Sequence, residues 1–186
     1  MYQAVELFKH LGFISILLGW IGFAILLYKW RGNSSMSLSQ HAVLTKTSYF
    51  FFIIIFAITI PLFYLFIIQW FVPTFNLGRQ FINLISIGLL LQIFYAIIPD
   101  VKGVSGLFHK LFAYSFAFLL IPLNIIIFTS SNFSPIGRFA SFASTLFMIF
   151  GLILLLWKKG KLKYYLFFQI AYVLCFHASI LFATYF

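Results

Sequence analysis

The chain has 186 residues, of which 64% are hydrophobic and only 8% are charged, and its formal net charge is +10. A soluble domain normally has about 25% charged residues, and two acidic and 12 basic side chains cannot cover a water-facing surface. The composition therefore excludes a soluble globular domain and predicts a protein whose main solvent is lipid.

The positive charge does not indicate a nucleic-acid-binding protein. The basic residues lie at the ends of apolar segments, where they anchor helices and meet anionic lipid headgroups, and bases are not interleaved with aromatics on a polar surface. The single cysteine, Cys175, excludes an internal disulfide and a cysteine-cluster metal site. We expect membrane lipids as partners, with anionic headgroups at the basic loops, and no nucleic acid.

Six apolar runs are long enough to cross a bilayer, because a spanning helix needs about 20 apolar residues and satisfies its own backbone hydrogen bonds. Basic residues follow the first run, which favours a retained helix over a cleaved signal peptide. The sequence predicts one all-α domain over residues 1–186, a bundle of six transmembrane helices with short loops. Helices are predicted at residues 11–29, 49–72, 80–98, 107–128, 138–157 and 164–185.

The distribution of bases predicts the orientation in the membrane. Nine of the 12 basic residues follow the first, third and fifth helices, and cytoplasmic loops carry the excess of Lys and Arg. We expect a multi-pass protein of a bacterial inner membrane with both termini outside. The segments expected in the cytoplasm are 29–46, 102–110 and 158–163.

Small residues and prolines mark how these helices pack. Small side chains allow close approach of helices in lipid, and proline inside a spanning helix predicts a kink. Pro61 and Pro122 fall inside the second and fourth helices. We expect packing, rather than a ligand cavity, along the stripes Gly12, Ser15, Gly19 and Gly22 in helix one and Gly137, Ser141 and Thr145 in helix five.

The longest connection, between the first and second helices, is rich in hydroxyl groups. Ser37, Ser39 and His41 lie in it, on the same predicted side of the membrane as Asp100. A solvated serine-rich linker is the interpretation we favour. The alternative is that this segment folds back over the region of Asp100 and His109 and closes a polar site.

Asp100 ends the third predicted helix and His109 begins the fourth, across a short turn that contains glycine. Ionisable groups at membrane depth are costly and are candidate functional groups by default. A carboxylate beside an imidazole fixes its tautomer, which suits proton transfer or metal ligation. The interpretation we favour is a salt bridge or helix cap that holds the hairpin together.

The sixth helix carries His177 on a face that also presents Gln169 and Tyr172. The simpler interpretation is a core histidine bonded to Asn124 or another inward amide. The alternative is ligation of a cofactor together with His10, which is predicted on the same side of the membrane.

The segment 98–123 carries a family resemblance. It begins with an Ile-Pro-Asp triplet and continues into a Phe-His-Lys-Leu-Phe-Ala helix start. This pattern resembles the bacterial membrane-protein family called domain of unknown function 998, distantly akin to the DRAM-like six-helix proteins. The resemblance implies six helices and no established chemistry. The family has serines in its first loop and an acid before a helix start that contains histidine and alanine. In this sequence these features fall at Ser37, Ser39, Asp100, His109 and Ala113.

These observations favour a small non-catalytic membrane protein, either a lipid- or ligand-binding bundle or an accessory subunit with a membrane-protein partner or a second copy of itself. No cofactor is predicted, and an enzyme is the less favoured class. Unbroken helices without an obvious inverted repeat argue against a transporter.

Two alternatives stay open. The first is a redox protein that binds haem b in the manner of the six-helix cytochrome b561. Such a protein requires pairs of histidine ligands from different helices. His10 and His177 are predicted on one side of the membrane, and His41 and His109 on the other. The second is a zinc-dependent intramembrane lipid hydrolase that uses His41, Asp100, His109 and a loop serine.

Overall fold

The computed structural model describes residues 2–157 and 163–186, with side chains from residue 6 onward. Over these ranges all regular structure is helical, and six helices are long and apolar enough to cross a membrane. The predicted all-α, multi-pass membrane class is confirmed. The helices are α1 (Tyr2–Lys29), α2 (Leu38–Ala42), α3 (Lys46–Phe66, continuing through a π-helical turn at Ile67–Phe71 and then Val72–Thr74), α4 (Arg79–Ile97), α5 (Val104–Thr129), α6 (Pro135–Trp157) and α7 (Tyr165–Tyr185).

The six long helices lie close to their predicted positions, but α1 begins earlier than predicted and one short helix was not predicted. α1 begins at Tyr2 rather than near residue 11, because hydropathy marks only the apolar part of a helix whose backbone bonding continues through polar residues. The short helix α2 was not predicted, since five residues are too few to show a helical period. Of the predicted basic segment 158–163, residues 158–162 lie outside the described residues.

The chain divides into two compact units, each described here by itself. Unit 1 contains Met1–Gly32 and Leu38–Phe116, and unit 2 contains Asn33–Ser37 and Ala117–Phe186. The helix α5 therefore contributes its first half to unit 1 and its second half to unit 2. The prediction that residues 1–186 form one domain stays a prediction.

Within unit 1, α1 and α3 pack closely through small residues. A Cβ atom built on Gly12 would lie 2.6 Å from the ring of Phe66, so only glycine fits there. The hydroxyl of Ser15 donates to the carbonyl oxygen of Thr59 at 3.0 Å, which pairs a polar group inside the membrane. The predicted packing role of this stripe is confirmed.

The start of α3 is fixed by a capping box. Thr45 is the N-cap, its hydroxyl accepts from the backbone N–H of Ser48, and the Ser48 hydroxyl accepts from the Thr45 N–H. Ser48 also donates to the carbonyl of Ala42 at 2.7 Å, which ties the end of α2 to the start of α3. Pro61 lies inside α3 without breaking it, as a spanning helix tolerates.

Within unit 2, α6 and α7 pack through the second stripe of small residues. A Cβ atom on Gly137 would lie 2.9 Å from the Cα of Ala183, and Ser141 and Thr145 are buried. The predicted packing of this stripe is confirmed. Tyr172 of α7 is buried as well.

The first turn of α7 is capped by a distant segment of unit 2. Its N-cap residue, Tyr164, provides no side-chain bond. Instead the backbone N–H of Leu166 donates to the carbonyl of Ser34 at 3.2 Å, and the Ser34 hydroxyl donates to the carbonyl of Lys163. The first four N–H groups of a helix need such partners, and residues 33–37 supply one.

Candidate functional site

The end of α4 is where the polar groups of unit 1 gather. The last carbonyls of a helix have no partner within it, and the proline at position 99 has no N–H with which to continue the pattern. Side chains from other segments fill this role at three successive residues, 97–99. The Tyr49 hydroxyl donates to the first carbonyl, Nδ1 of His109 lies 2.7 Å from the second, and the Ser105 hydroxyl donates to the third at 3.0 Å.

This arrangement fixes the tautomer of His109. A carbonyl oxygen only accepts, so Nδ1 carries a proton and donates to the carbonyl of Ile98. The ring is 3% exposed and stands edge-on to Tyr95, with centroids 5.8 Å apart and an interplanar angle of 80°. The sequence suggested that a carboxylate sets the tautomer; in the structure a backbone carbonyl does so, and His109 acts as the cap that holds the hairpin.

The turn that follows α4 places Asp100 by close backbone contacts. Gly103 has a φ of +98°, a conformation that glycine adopts without strain. A Cβ atom on Gly106 would overlap the carbonyl oxygen of Val101. Two glycines, the capped carbonyls and Pro99 therefore define the backbone of the turn that carries Asp100.

The short helix α2 is fastened to this turn. The hydroxyl of Ser39 donates to Oδ2 of Asp100 at 3.2 Å, across 61 residues of sequence. Ser39 and His41 are 4% and 3% exposed, whereas Asp100 is half-buried. The favoured expectation of a solvated linker is wrong for α2, because four of its five residues, all but Gln40, are buried. We call Ser39, Tyr49, Asp100, Ser105 and His109 the Asp100 cluster.

Several basic residues are close in sequence to members of the cluster. Lys102 lies within the turn, Lys110 follows His109 directly, and both are exposed. Lys46 is exposed at the start of α3. Lysines thus flank this part of the chain in sequence, and exposed lysines at the ends of spanning helices meet headgroup phosphates.

The remaining candidates lie elsewhere. Ser37 is buried in unit 2, and His10 is exposed within α1 rather than at its start. His177 and Gln169 are half-buried on α7. Ser37, Gln169 and His177 belong to unit 2, whereas the Asp100 cluster belongs to unit 1.

The polar groups of unit 2 pair differently from the prediction. The amide nitrogen of Asn124 donates to the sulfur of Met148 at 3.3 Å, and its amide oxygen has no partner among the described residues. Asn124 is therefore not the hydrogen-bond partner of His177, and a bond from His177 to another inward amide stays a prediction. The hydroxyl of Tyr172 donates to the carbonyl of Ala117 at 2.7 Å, so the inward polar face of the sixth spanning helix is confirmed at that residue.

Metal ligation has little geometric basis here. Within residues 2–157 and 163–186, no three His, Cys, Asp or Glu side chains come together at a distance that would hold an ion. Catalytic zinc requires about three protein ligands. Among the described residues, the side chains that would serve a zinc hydrolase do not converge.

Comparisons with known proteins add no assignment: the chain matches no family model, no curated protein and no solved structure. The resemblance of segment 98–123 to the domain of unknown function 998 stays a prediction. Function must therefore be argued from the Asp100 cluster.

Two members of the cluster, Tyr49 and Ser105, escaped the sequence analysis. Each sits at the start of a helix, where hydroxyl-bearing residues are common and carry no special signal. A signal was nevertheless present, because a helix that ends before a proline leaves carbonyls that need donors. A search for hydroxyl donors that could reach the carbonyls before and at position 99 would have pointed to both residues.

Proposed function

We propose that this is a non-catalytic multi-pass membrane protein that binds the polar headgroup of a lipid at the Asp100 cluster. The observation that carries the proposal is the hydrogen bond from Ser39 to Asp100, which fastens α2 over the end of α4 and the start of α5. A half-exposed carboxylate held in a braced turn at the end of spanning helices is suited to binding at headgroup depth.

The cost of keeping this carboxylate supports a role for it. The chain has only two acidic residues, and an ionised group near hydrocarbon costs free energy unless it is paired and hydrogen-bonded. Hairpin stability alone is served by Tyr49, Ser105 and His109, which bond to backbone carbonyls and not to Asp100. The carboxylate is thus the member of the cluster that the capping of the α4 carbonyls does not explain.

Binding is favoured over catalysis by the directions of the hydrogen bonds. Nucleophilic catalysis needs a hydroxyl or thiol that donates to a base which is itself oriented by a third group. In the cluster the Ser39 hydroxyl donates to the carboxylate, while Nδ1 of His109 donates to the Ile98 carbonyl. Serine and histidine therefore serve separate partners.

Native mass spectrometry of gently solubilised protein tests the proposal. The wild type is expected to retain a lipid of defined mass, and Ser39→Ala is expected to retain less of it because the hydrogen bond from Ser39 to Asp100 is lost. Ser35→Ala is the matched control, since this exposed serine lies in the same connection and uses only its backbone N–H, towards Asn33. Equal retention by all three proteins contradicts the proposal, and a mass that contains a second protein or copy favours the accessory-subunit alternative.

We further propose a bacterial inner membrane with both termini outside and the Asp100 cluster on the cytoplasmic face, as the excess of bases on that side supports. Accessibility to a membrane-impermeant maleimide tests the orientation in a Cys175→Ser background. Ser131→Cys is expected to be labelled from outside and Ser35→Cys only after the membrane is opened. Both positions are exposed, so the reverse pattern contradicts the orientation.

A further inference from the structure

The core of unit 2 contains two polar oxygen atoms that have no hydrogen-bond partner among the described residues. They are Oδ1 of Asn124 in α5 and Oγ of Ser141 in α6, and both side chains are 0% exposed. Both helices are long and apolar enough to span the membrane. An unpaired buried oxygen is costly there, because hydrocarbon offers no bulk water in place of the missing partner. Each atom therefore needs a partner from outside the described chain.

Ser141 differs from three other buried hydroxyl groups of unit 2. Thr145, Ser179 and Thr184 each donate to the carbonyl four residues earlier in the same helix, at 2.7, 3.0 and 2.7 Å. Such a bond is a common way for a hydroxyl inside a helix to find an acceptor. The hydroxyl of Ser141 makes no such bond, so it can both donate to a ligand and accept from one.

Asn124 is satisfied only in part, and by a weak bond. Its amide nitrogen donates to the sulfur of Met148 at 3.3 Å, and a thioether sulfur is a weak acceptor. Turning the amide by 180° would lose this bond, because oxygen and sulfur would then face each other as two acceptors. Oδ1 only accepts, so the partner that it lacks is a hydrogen-bond donor.

The two oxygens lie near the same end of unit 2. Asn124 is five residues before the end of α5, and Ser141 is six residues after the start of α6. At 1.5 Å per residue, both residues lie about 7–9 Å from these helix ends. The five-residue loop 130–134 joins the two ends, and its residues Ser131 and Asn132 are exposed. Polar groups thus extend from an exposed loop into the core.

The charges of unit 2 indicate that the missing partner is neutral. Both acidic residues of the chain, Glu6 and Asp100, belong to unit 1, so unit 2 has no carboxylate that would offset the charge of a buried cation. Water donates two hydrogen bonds and accepts others, which suits an oxygen that only accepts and a hydroxyl that does both. Buried waters typically bond to polar groups that the protein leaves unpaired.

We propose that unit 2 contains an internal water-binding site in which ordered water donates to Oδ1 of Asn124 and bonds to Oγ of Ser141. The water enters from loop 130–134, the nearest exposed polar segment. The site does not depend on lipid binding at the Asp100 cluster, which belongs to unit 1.

X-ray footprinting of the full chain in nanodiscs tests this proposal. A short X-ray pulse splits water into hydroxyl radicals, and water already bound inside a protein then oxidises a neighbouring methionine to its sulfoxide. Met148 is 0% exposed and lies beside Asn124, so radicals from bulk water do not reach it. We expect peptide mass spectrometry to show oxidation of Met148 in the wild type. Met36, which is half-buried in the connection after α1, is the internal reference for the dose.

Two variants distinguish bound water from general access to the core. Asn124→Leu removes the acceptor, and it is expected to reduce the oxidation of Met148 to the level without the pulse while Met36 is unchanged. Ser179→Ala is the matched control, because this buried hydroxyl is already bonded to the carbonyl of Cys175, and the oxidation of Met148 should stay the same. A misfolded variant would expose Met148 and raise its oxidation, so a folding defect cannot imitate the expected loss.

Three results would overturn the proposal. The first is a wild type in which Met148 is not oxidised above the level without the pulse, or is oxidised equally in Asn124→Leu. The second is oxidation of Met148 that begins only when sodium is replaced by N-methylglucamine, which would assign the oxygens to a cation. The third concerns Ser141→Ala, which is expected to unfold at a lower temperature because a ligand of the water is lost; an equal or higher temperature would show that the hydroxyl has no bound partner.

Discussion

The close approach of α1 to α3 makes a quantitative prediction at Gly12. In Gly12→Ala the new methyl group would lie 2.6 to 2.7 Å from three ring carbons of Phe66, whereas carbon atoms pack at about 3.5–4.0 Å. The ring is 1% exposed, and the rings of Phe63, Trp70 and Phe71 lie within 5.8 Å of it, centroid to centroid. The ring must therefore move by about 1 Å in a filled space.

The free-energy change follows from two opposing terms. Overpacking of this kind costs about 1–3 kcal/mol, and replacing a helical glycine by alanine gains about 0.5–1 kcal/mol. Gly12→Ala is therefore expected to lower the free energy of unfolding by about 1–2 kcal/mol. Gly19→Ala is the matched control, because its methyl group would meet only a Thr59 carbon at 3.8 Å and keeps the gain.

Thermal unfolding in detergent, followed by circular dichroism, measures both variants. Gly12→Ala should unfold at a lower temperature than the wild type, and Gly19→Ala at the same or a higher temperature. The double variant Gly12→Ala/Phe66→Leu should recover part of the loss, since a smaller side chain makes room. If Gly12→Ala is as stable as Gly19→Ala, the packing argument for α1 and α3 is refuted.

Three further predictions concern single side chains. Gly106→Ala is expected to abolish lipid retention, because the new methyl group would overlap a backbone carbonyl of the Asp100 turn. Gly88→Ala is the control and should retain lipid, because its methyl group would make only ordinary contacts. Equal retention by the two variants would argue against a rigid turn. Ser48→Ala is expected to lower the free energy of unfolding by about 1–3 kcal/mol, since a buried carbonyl loses its donor, and an unchanged denaturation midpoint would contradict this. Tyr172→Phe should cost about 0.5–1.5 kcal/mol through loss of one hydrogen bond, again by denaturation, and a more stable variant would show that the bond is not formed.

The spanning helices were predictable because one physical requirement defines them. A segment in hydrocarbon must be apolar over its length and must form its backbone hydrogen bonds within itself. Both conditions can be recognised from the local sequence. The predicted run 80–98 and the observed α4, Arg79–Ile97, differ by a single residue at each end. Hydropathy fails where a helix leaves the hydrocarbon, as it does at the start of α1.

The π-helical turn at Ile67–Phe71 and the short α2 depend on tertiary contacts and were not predictable. Residues 67–71 are apolar and fit an α-helix equally well by pattern. The five residues of α2 carry three polar side chains that would ordinarily face water, yet two of them, Ser39 and His41, are buried. Burial of such a segment is set by its partners, which lie far away in sequence.

The candidate site was predictable in part for the same reason. Asp100 and His109 are close in sequence, so a short turn must place them at the same end of their helices. The bond between Ser39 and Asp100 joins residues 61 positions apart, and nothing in the local pattern of either segment specifies it. Sequence reasoning named both residues, and gave the approach of the serine-containing segment to Asp100 only as the less favoured alternative.

The most direct test of the central proposal locates the bound lipid. A phospholipid analogue that carries a photoactivatable group beside its phosphate is incorporated in nanodiscs, cross-linked to the wild-type protein, and mapped by peptide mass spectrometry. We expect cross-links concentrated in residues 99–110 and in α2, and their loss from both in Ser39→Ala. Cross-links spread evenly over the ends of all six spanning helices, and unchanged in that variant, would contradict a headgroup site at the Asp100 cluster.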